Sequence, residues 1–222
     1  MGRIPAAYVL VLALIPAARA HGPISTKLTW TREISRIVYK RCAGCHRPSG
    51  AAPMSFLSYD DARPWATAIK EEVLARRMPP WSAMKGFGEF QGDISLTAEE
   101  IHLLADWIEG GAPEGDAKYL PEPPAAPEKP DMGALRGIAV RGSLTLKAAM
   151  AVAAIQASGL PRGGSLQAVA VRPDGSFEPL LWIYPFHERW NWIYRYREPV
   201  RLPAGTRIEV TAPGSVVLSA TR

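Results

Sequence analysis

The residue types best suited to chemistry lie together at Cys42-Ala43-Gly44-Cys45-His46, which contains both cysteines of the chain. Two thiols three positions apart can each form a thioether with one vinyl group of a haem, and a histidine directly after them can ligate the iron. The C-x-x-C-H spacing therefore predicts one covalent haem c, bound through Cys42 and Cys45. His46 is then expected to be the proximal axial ligand of the haem iron.

Three other uses of the two cysteines are less consistent with the sequence. A redox-active dithiol of the thioredoxin kind lies in a βαβ pattern, which does not surround these residues, and it would leave His46 without a role. A structural zinc site needs four ligands, and the only other histidines are His21, His102 and His187. A disulfide across two intervening residues would constrain almost no chain and add little stability.

A haem iron held by one histidine takes a sixth ligand, and a methionine thioether favours Fe(II). Three methionines follow His46 within the same half of the chain, at positions 54, 78 and 84. We expect Met78 to be the distal ligand, because the two prolines after it end the preceding helix and restrict the loop that carries its sulfur. Met54 is the second choice, and packing in the core is the alternative role for Met78.

Helices are predicted to position these ligands. The first is capped by Thr31 and runs into Cys42, and the second covers about residues 60–77, directly before the methionine at 78. A third begins at Thr97, with Glu100 as the capping-box partner, and ends at Gly110.

Other features of the sequence concern export and charge. Residues 1–20 have the charged start, short apolar run and small-x-small end of a signal peptide, so a periplasmic or otherwise exported protein without an integral membrane span is expected after cleavage. The basic excess is scattered over the second half, which does not favour nucleic-acid binding. Basic residues near the ligand segments could pair with haem propionates, attract an acidic redox partner, or be ordinary solvated surface charges; they are Lys40, Arg41, Arg47, Arg76 and Arg77.

The first half resembles a known family. A helix leading into CAGCH, a methionine in MPPW and a final LTAEEIHLLADWIEGGAPEGD helix together resemble a class I c-type cytochrome over residues 27–116. More narrowly, APMSFLSYDDARPWATAIKEEVLARRMPPW is similar to cytochrome domains found beside copper type II, ascorbate-dependent monooxygenase-like domains. The resemblance implies an all-α cytochrome c domain over residues 21–118.

The second half, residues 132–222, follows a proline-rich linker at residues 119–131 and shows short apolar or alternating runs between turn signals, which predict an antiparallel β-sandwich. Residues 144–155 are alanine-rich and ambiguous. The expected fold class is therefore an α + β multidomain chain. Six aromatic residues of this half favour packing over an exposed docking surface; they are Trp182, Phe186, Trp190, Trp192, Tyr194 and Tyr196.

This half is similar to the C-terminal domain of copper type II monooxygenases over residues 137–212. In that family an H-x-H pair directly precedes Arg-Gly, and a later methionine completes the copper site. Alignment on Arg162-Gly163 puts Ser158 and Leu160 at the histidine positions, and no methionine follows Met150. The resemblance therefore implies a degenerate domain that lacks the copper ligands.

These expectations combine into one functional hypothesis. The chain is predicted to be an exported mono-haem c-type cytochrome that carries single electrons between redox partner proteins and is not itself an enzyme. The copper-free sandwich would serve docking or assembly. The alternative is a haem enzyme or a ligand-binding subunit of a larger oxidoreductase complex.

Overall fold

The computed structural model describes residues 27–127, 132–211 and 213–221. Over these residues the chain has helices in its first half and two antiparallel four-stranded sheets in its second, which makes it an α+β protein. The predicted signal peptide and residues 128–131 of the predicted linker lie outside the described residues. No helix in the described parts of the chain has the length and apolar character needed to cross a membrane.

The helical half has four α-helices and short turns of other helix types. The α-helices are α1 (Ser35–Arg41), α2 (Tyr59–Ala62), α3 (Ala66–Leu74) and α4 (Ala98–Glu109); a π-helical turn covers Trp30–Ile34, and 3-10 turns cover Arg63–Trp65 and Ala117–Tyr119. Trp30 and Trp107 are fully buried, with ring centroids 6.1 Å apart, and lie at the centre of the hydrophobic core of this half.

Two helix predictions need correction. Thr31 does not cap the first helix. The helical segment already begins at Trp30, and Thr31 is buried within the first turn of that segment. The backbone N–H groups of Trp30 and Thr31 donate instead to the carbonyls of Pro113 and Glu114, both at 3.0 Å, so tertiary contacts replace a side-chain cap. The helix predicted at 60–77 is divided by the 3-10 turn that contains Pro64 and ends at Leu74.

The predictions for α4 are confirmed. The Thr97 hydroxyl accepts a hydrogen bond from the Glu100 N–H, the Glu100 carboxylate accepts one from the Thr97 N–H, and Gly110 is the C-cap. His102 lies on the exposed face of the helix.

The second half consists of two sheets with strand orders β1-β8-β3-β6 and β2-β7-β4-β5, and all neighbouring strands are antiparallel. The strands are β1 (Ile138–Val140), β2 (Ser143–Thr145), β3 (Met150–Ser158), β4 (Leu166–Val171), β5 (Phe177–Ile183), β6 (Tyr194–Leu202), β7 (Arg207–Val210) and β8 (Ser215–Ala220). Of the ambiguous residues 144–155, positions 144–145 lie in β2 and 150–155 lie in β3, and none is helical. β3 pairs on both sides and buries residues such as Val152 and Ile155.

Both sheets contribute to one hydrophobic core, which also takes in residues from before the linker. Ala83 and Phe90 are buried in this core and form isolated bridges with Ile183 and Tyr196. We call residues 81–94 the crossing segment, since they precede α4 in the chain but pack with the sheets. The division at residues 119–131 stays a prediction, and the sheet core extends across it.

The aromatic residues of the second half mainly pack. Phe186, Trp192, Tyr194 and Tyr196 are buried in the sheet core, whereas Trp182 and Trp190 are half-buried. This confirms the packing interpretation for the four buried rings.

Candidate functional site

The Cys42–His46 segment continues directly from α1. Cys42 is the C-cap of that helix, and its carbonyl accepts hydrogen bonds from the N–H groups of Cys45 at 3.0 Å and His46 at 2.9 Å. This tight turn brings both sulfurs and the imidazole to the wall of the same cavity. The short spacing in the sequence thus becomes a single three-residue cluster.

The cavity has a volume of about 320 Å³ and an almost wholly apolar lining. Cys42, Cys45 and His46 lie on its wall together with Met54 and Met78. Apolar side chains from α3 and the loops around it complete this wall; they include Phe56, Ile69 and Val73. Such a lining suits a flat apolar ring system better than a free metal ion, which requires polar ligands on several sides.

The His46 imidazole is held by its neighbours. It stacks on the Phe56 ring, with centroids 4.1 Å apart and planes 7° from parallel, and the His46 carbonyl accepts a hydrogen bond from the Phe56 N–H at 3.0 Å. Burial lowers the pKa of His46, and the backbone of Met54 opposes this shift. Among the described residues, no group meets full hydrogen-bond geometry with its buried Nδ1, although the Met54 backbone lies close to the ring. A neutral, oriented imidazole is the form that ligates a metal.

The two thiols are not activated as nucleophiles. Burial raises the pKa of Cys42 to about 12, with a further contribution from the neighbouring Cys45, and burial also raises the pKa of Cys45. A catalytic dithiol of the thioredoxin kind needs a thiolate of lowered pKa near its helix. The environment therefore opposes the redox-dithiol alternative, whereas thioether formation removes the titrating proton altogether.

An ion pair fixes the end of α1 to the start of α4. Arg41 Nε donates to both carboxylate oxygens of Glu100, at 3.0 and 3.1 Å, and its Nη1 donates to the Asp93 carbonyl at 2.9 Å. Both side chains are largely buried. Since Glu100 is also the capping-box residue of α4, one carboxylate couples that cap to the residue before Cys42.

The structure separates the three candidate methionines. Met54 and Met78 both line the cavity, but Met84 lies in the crossing segment, where its N–H donates to the Trp182 carbonyl at 2.8 Å. Met78 follows α3 and is 37% exposed. Met54 packs against the core of the helical half and lies near the His46 imidazole.

The predicted linker contacts the chain around Cys42–His46. Arg47 Nη2 donates to the Pro124 carbonyl at 2.7 Å. A side-chain carbon added at Gly44 would lie 3.3 Å from Pro127 Cγ, so the small residue between the cysteines allows this close approach. The described part of the linker, up to residue 127, therefore touches the segment after α1 at two points, although nearly all of its residues are exposed.

The second half also reaches the cavity, which the sequence reasoning missed. A 3-10 turn (Glu188–Trp190) lies between β5 and β6. Its residues Arg189 and Trp190 line the same cavity as Met78. Trp192 Nε1 donates to the Pro80 carbonyl at 2.7 Å, which ties the methionine loop to the sheets. No signal in the sequence connects Trp192 with Pro80, because the two are 112 positions apart along the chain.

Comparisons with protein-family models, curated proteins and solved structures found no match. The functional assignment therefore depends on the site itself.

Replacing Trp192 with Phe tests the tie between the halves. The variant keeps a buried aromatic ring but loses the hydrogen bond to Pro80, which costs about 1 kcal/mol for a bond of this kind. We expect faster amide hydrogen exchange across residues 76–82, because this bond holds that loop against the sheets. Trp182→Phe is the matched control, since Trp182 Nε1 donates to Ser165 Oγ away from the cavity. Equal exchange of the loop in both variants would contradict this role for Trp192.

Proposed function

We propose that the chain is an exported mono-haem c-type cytochrome of the class I kind, which carries single electrons between redox partner proteins. The observation that carries this proposal is that Cys42, Cys45, His46 and Met78 lie on the wall of one apolar cavity. The residues fit the group: two thiols for covalent attachment, an oriented imidazole and a thioether. When bound, the haem supplies a one-electron Fe(III)/Fe(II) couple.

Each residue has a separate task in this proposal. Cys42 and Cys45 anchor the porphyrin through thioethers, so the cofactor cannot dissociate during electron exchange. His46 ligates the iron, and stacking on Phe56 fixes the plane of its imidazole. Met78 would supply a second ligand to the iron, and its soft sulfur would stabilise Fe(II).

Met78 is a better distal ligand than Met54 on two grounds. The backbone of Met54 contacts the His46 imidazole, so Met54 belongs to the part of the cavity wall that already supplies the first ligand. Met54 also packs with the helical core. The backbone N–H of Met78 donates to the Glu72 carbonyl at 3.3 Å, which holds the loop against the end of α3. Met78 itself lies on the cavity wall.

The two sheets are proposed to be a copper-free β-sandwich for docking or assembly, and the protein is proposed not to be an enzyme. The positions that the resemblance assigns to copper-ligating histidines hold Ser158, at the end of β3, and Leu160, which packs in the sheet core. Hydroxyl and alkyl groups do not replace imidazole as copper ligands.

The deciding experiment is to produce the full chain in a bacterium with the haem-attachment machinery and weigh the mature protein. We expect a mass equal to residues 21–222 plus one haem, iron near one atom per chain, and a single one-electron wave on redox titration. A mature protein with the mass of its amino acids alone would overturn the proposal. Copper in equal amount to iron would overturn the assignment of a copper-free sandwich.

A further inference from the structure

We infer that Arg189 binds a haem propionate, so that the two-sheet half supplies part of the haem site. The inference rests on the proposed function, because it assigns a further residue to the same cavity. Its basis is a positive charge on the cavity wall, which is opposite in sign to the two propionates that a haem carries.

Three charged side chains reach the cavity wall, and two already have partners. Arg41 is bound by the carboxylate of Glu100, and Glu72 is bound by Arg77, with Nη2 and Oε1 2.8 Å apart. Among the residues that the structure describes, no carboxylate pairs with Arg189, the third. Arg189 is thus the cation on the wall that remains available for an anionic ligand.

The Arg189 guanidinium is held beside the cavity by its neighbour. Its central carbon lies 5.0 Å from the centroid of the Trp190 ring, which lines the same wall. Contact with an indole face orients the guanidinium plane and leaves its N–H groups free to donate. Arg189 is exposed, so it stands where the cavity meets solvent.

A haem carries two carboxylates, and an ionised carboxylate left unpaired in apolar surroundings is strongly unfavourable. Arginine suits it best, since the planar fork of N–H groups matches both carboxylate oxygens. A positive charge at this place also offsets the negative propionate and disfavours the ferric state, which raises the reduction potential. The sequence pointed to basic residues near the ligands for this task, but Arg41 and Arg77 are already engaged by carboxylates.

The test compares three variants of the full-length holoprotein with the wild type. Arg189→Gln removes the charge, Arg189→Lys keeps the charge but loses the fork, and Arg201→Gln removes an exposed charge of β6 outside the cavity wall. The readouts are the midpoint potential and the propionate bending band in the resonance Raman spectrum. Haem content by mass is measured for every protein.

For Arg189→Gln we expect a lower midpoint potential, equivalent to a three- to tenfold change in the redox equilibrium constant, where tenfold is 59 mV. The propionate band should shift in both Arg189 variants, while Arg189→Lys keeps most of the potential. Arg201→Gln should change neither readout.

Two results overturn the inference alone: full haem content with an unchanged propionate band in Arg189→Gln, or equal falls in potential in Arg189→Gln and Arg201→Gln. A wild-type protein without haem overturns the proposed function itself, and this inference with it.

Discussion

The Cys42→Ser, Cys45→Ser double variant is expected to carry no covalent haem and to lose the fixed structure of its helical half. Serine hydroxyls do not add to vinyl groups under the conditions in which thiols form thioethers, so the attachment chemistry stops. The mature protein should have the mass of its amino acids alone. Mass spectrometry and a haem stain after denaturing electrophoresis measure this directly.

The loss of structure follows from the size of the cavity. A haem would fill a space of about 320 Å³ whose walls are almost wholly apolar. Residual cavities cost roughly 24 cal/mol per Å³, which sets an upper limit of about 8 kcal/mol if the walls do not collapse. This is as large as the total stability of many domains, about 5–15 kcal/mol. The helical far-ultraviolet circular dichroism should therefore fall.

Single substitutions provide the matched controls. Cys42→Ser and Cys45→Ser each keep one thiol, so each should retain haem through one thioether, with an altered absorption spectrum of the pyridine complex. A double variant that still carries the mass of one haem above that of its amino acids, with the helicity of the wild type, would contradict Cys42 and Cys45 as the attachment sites. A wild-type protein that holds Cys42 and Cys45 as a disulfide, without haem, would favour the structural alternative instead.

The parts of the fold that depend on short-range chemistry could be predicted from the sequence. Thr97 and Glu100 form their capping box because the partners are three residues apart, and each satisfies a backbone N–H of the same turn. The convergence of Cys42, Cys45 and His46 is also local, since one helical turn places all three on one wall. Burial of the aromatic rings in β6 follows from the alternation of side chains along a strand.

The parts of the fold that depend on long-range contacts could not be predicted from the sequence. Thr31 has the side chain of a helix cap, but the carbonyls of Pro113 and Glu114 take the N–H groups that a cap would satisfy. The alanines of residues 144–155 favour a helix locally, yet pairing of β3 on both sides decides for a strand. Ala154 and Ala157 are themselves fully buried in this strand.

The crossing segment is the main feature that no local pattern predicts. Ser82, in the crossing segment, and Pro80, just before it, hold the methionine loop against the sheets: the Ser82 carbonyl accepts the Tyr184 N–H at 2.9 Å, and the Pro80 carbonyl accepts the Trp192 indole N–H. The distal side of the proposed haem is thus supported by both halves of the chain. The sheets therefore have a structural role in supporting the loop that carries Met78.

Met78→Ala is expected to keep its covalent haem but to lose the far-red sulfur-to-iron charge-transfer band of the oxidised protein. The methyl side chain cannot ligate iron, and the haem then takes water, a stronger-field side chain or no sixth ligand. Without the soft thioether, Fe(II) loses its preferential stabilisation. The midpoint potential should fall by on the order of 100 mV, well within the ~0.8 V range that axial ligands set.

Met54→Ala is the matched control, since it removes a thioether from the same cavity wall. It should keep the far-red band and most of the potential. Its stability loss should be below the value of about 2–5 kcal/mol for a fully buried methionine, because Met54 is only half-buried. The reverse pattern, with the band lost only in Met54→Ala, would assign the distal position to Met54. A wild-type protein that lacks the band when oxidised, and that binds carbon monoxide once reduced with dithionite, would favour the ligand-binding or enzymatic alternative, because an open sixth position is what those functions require.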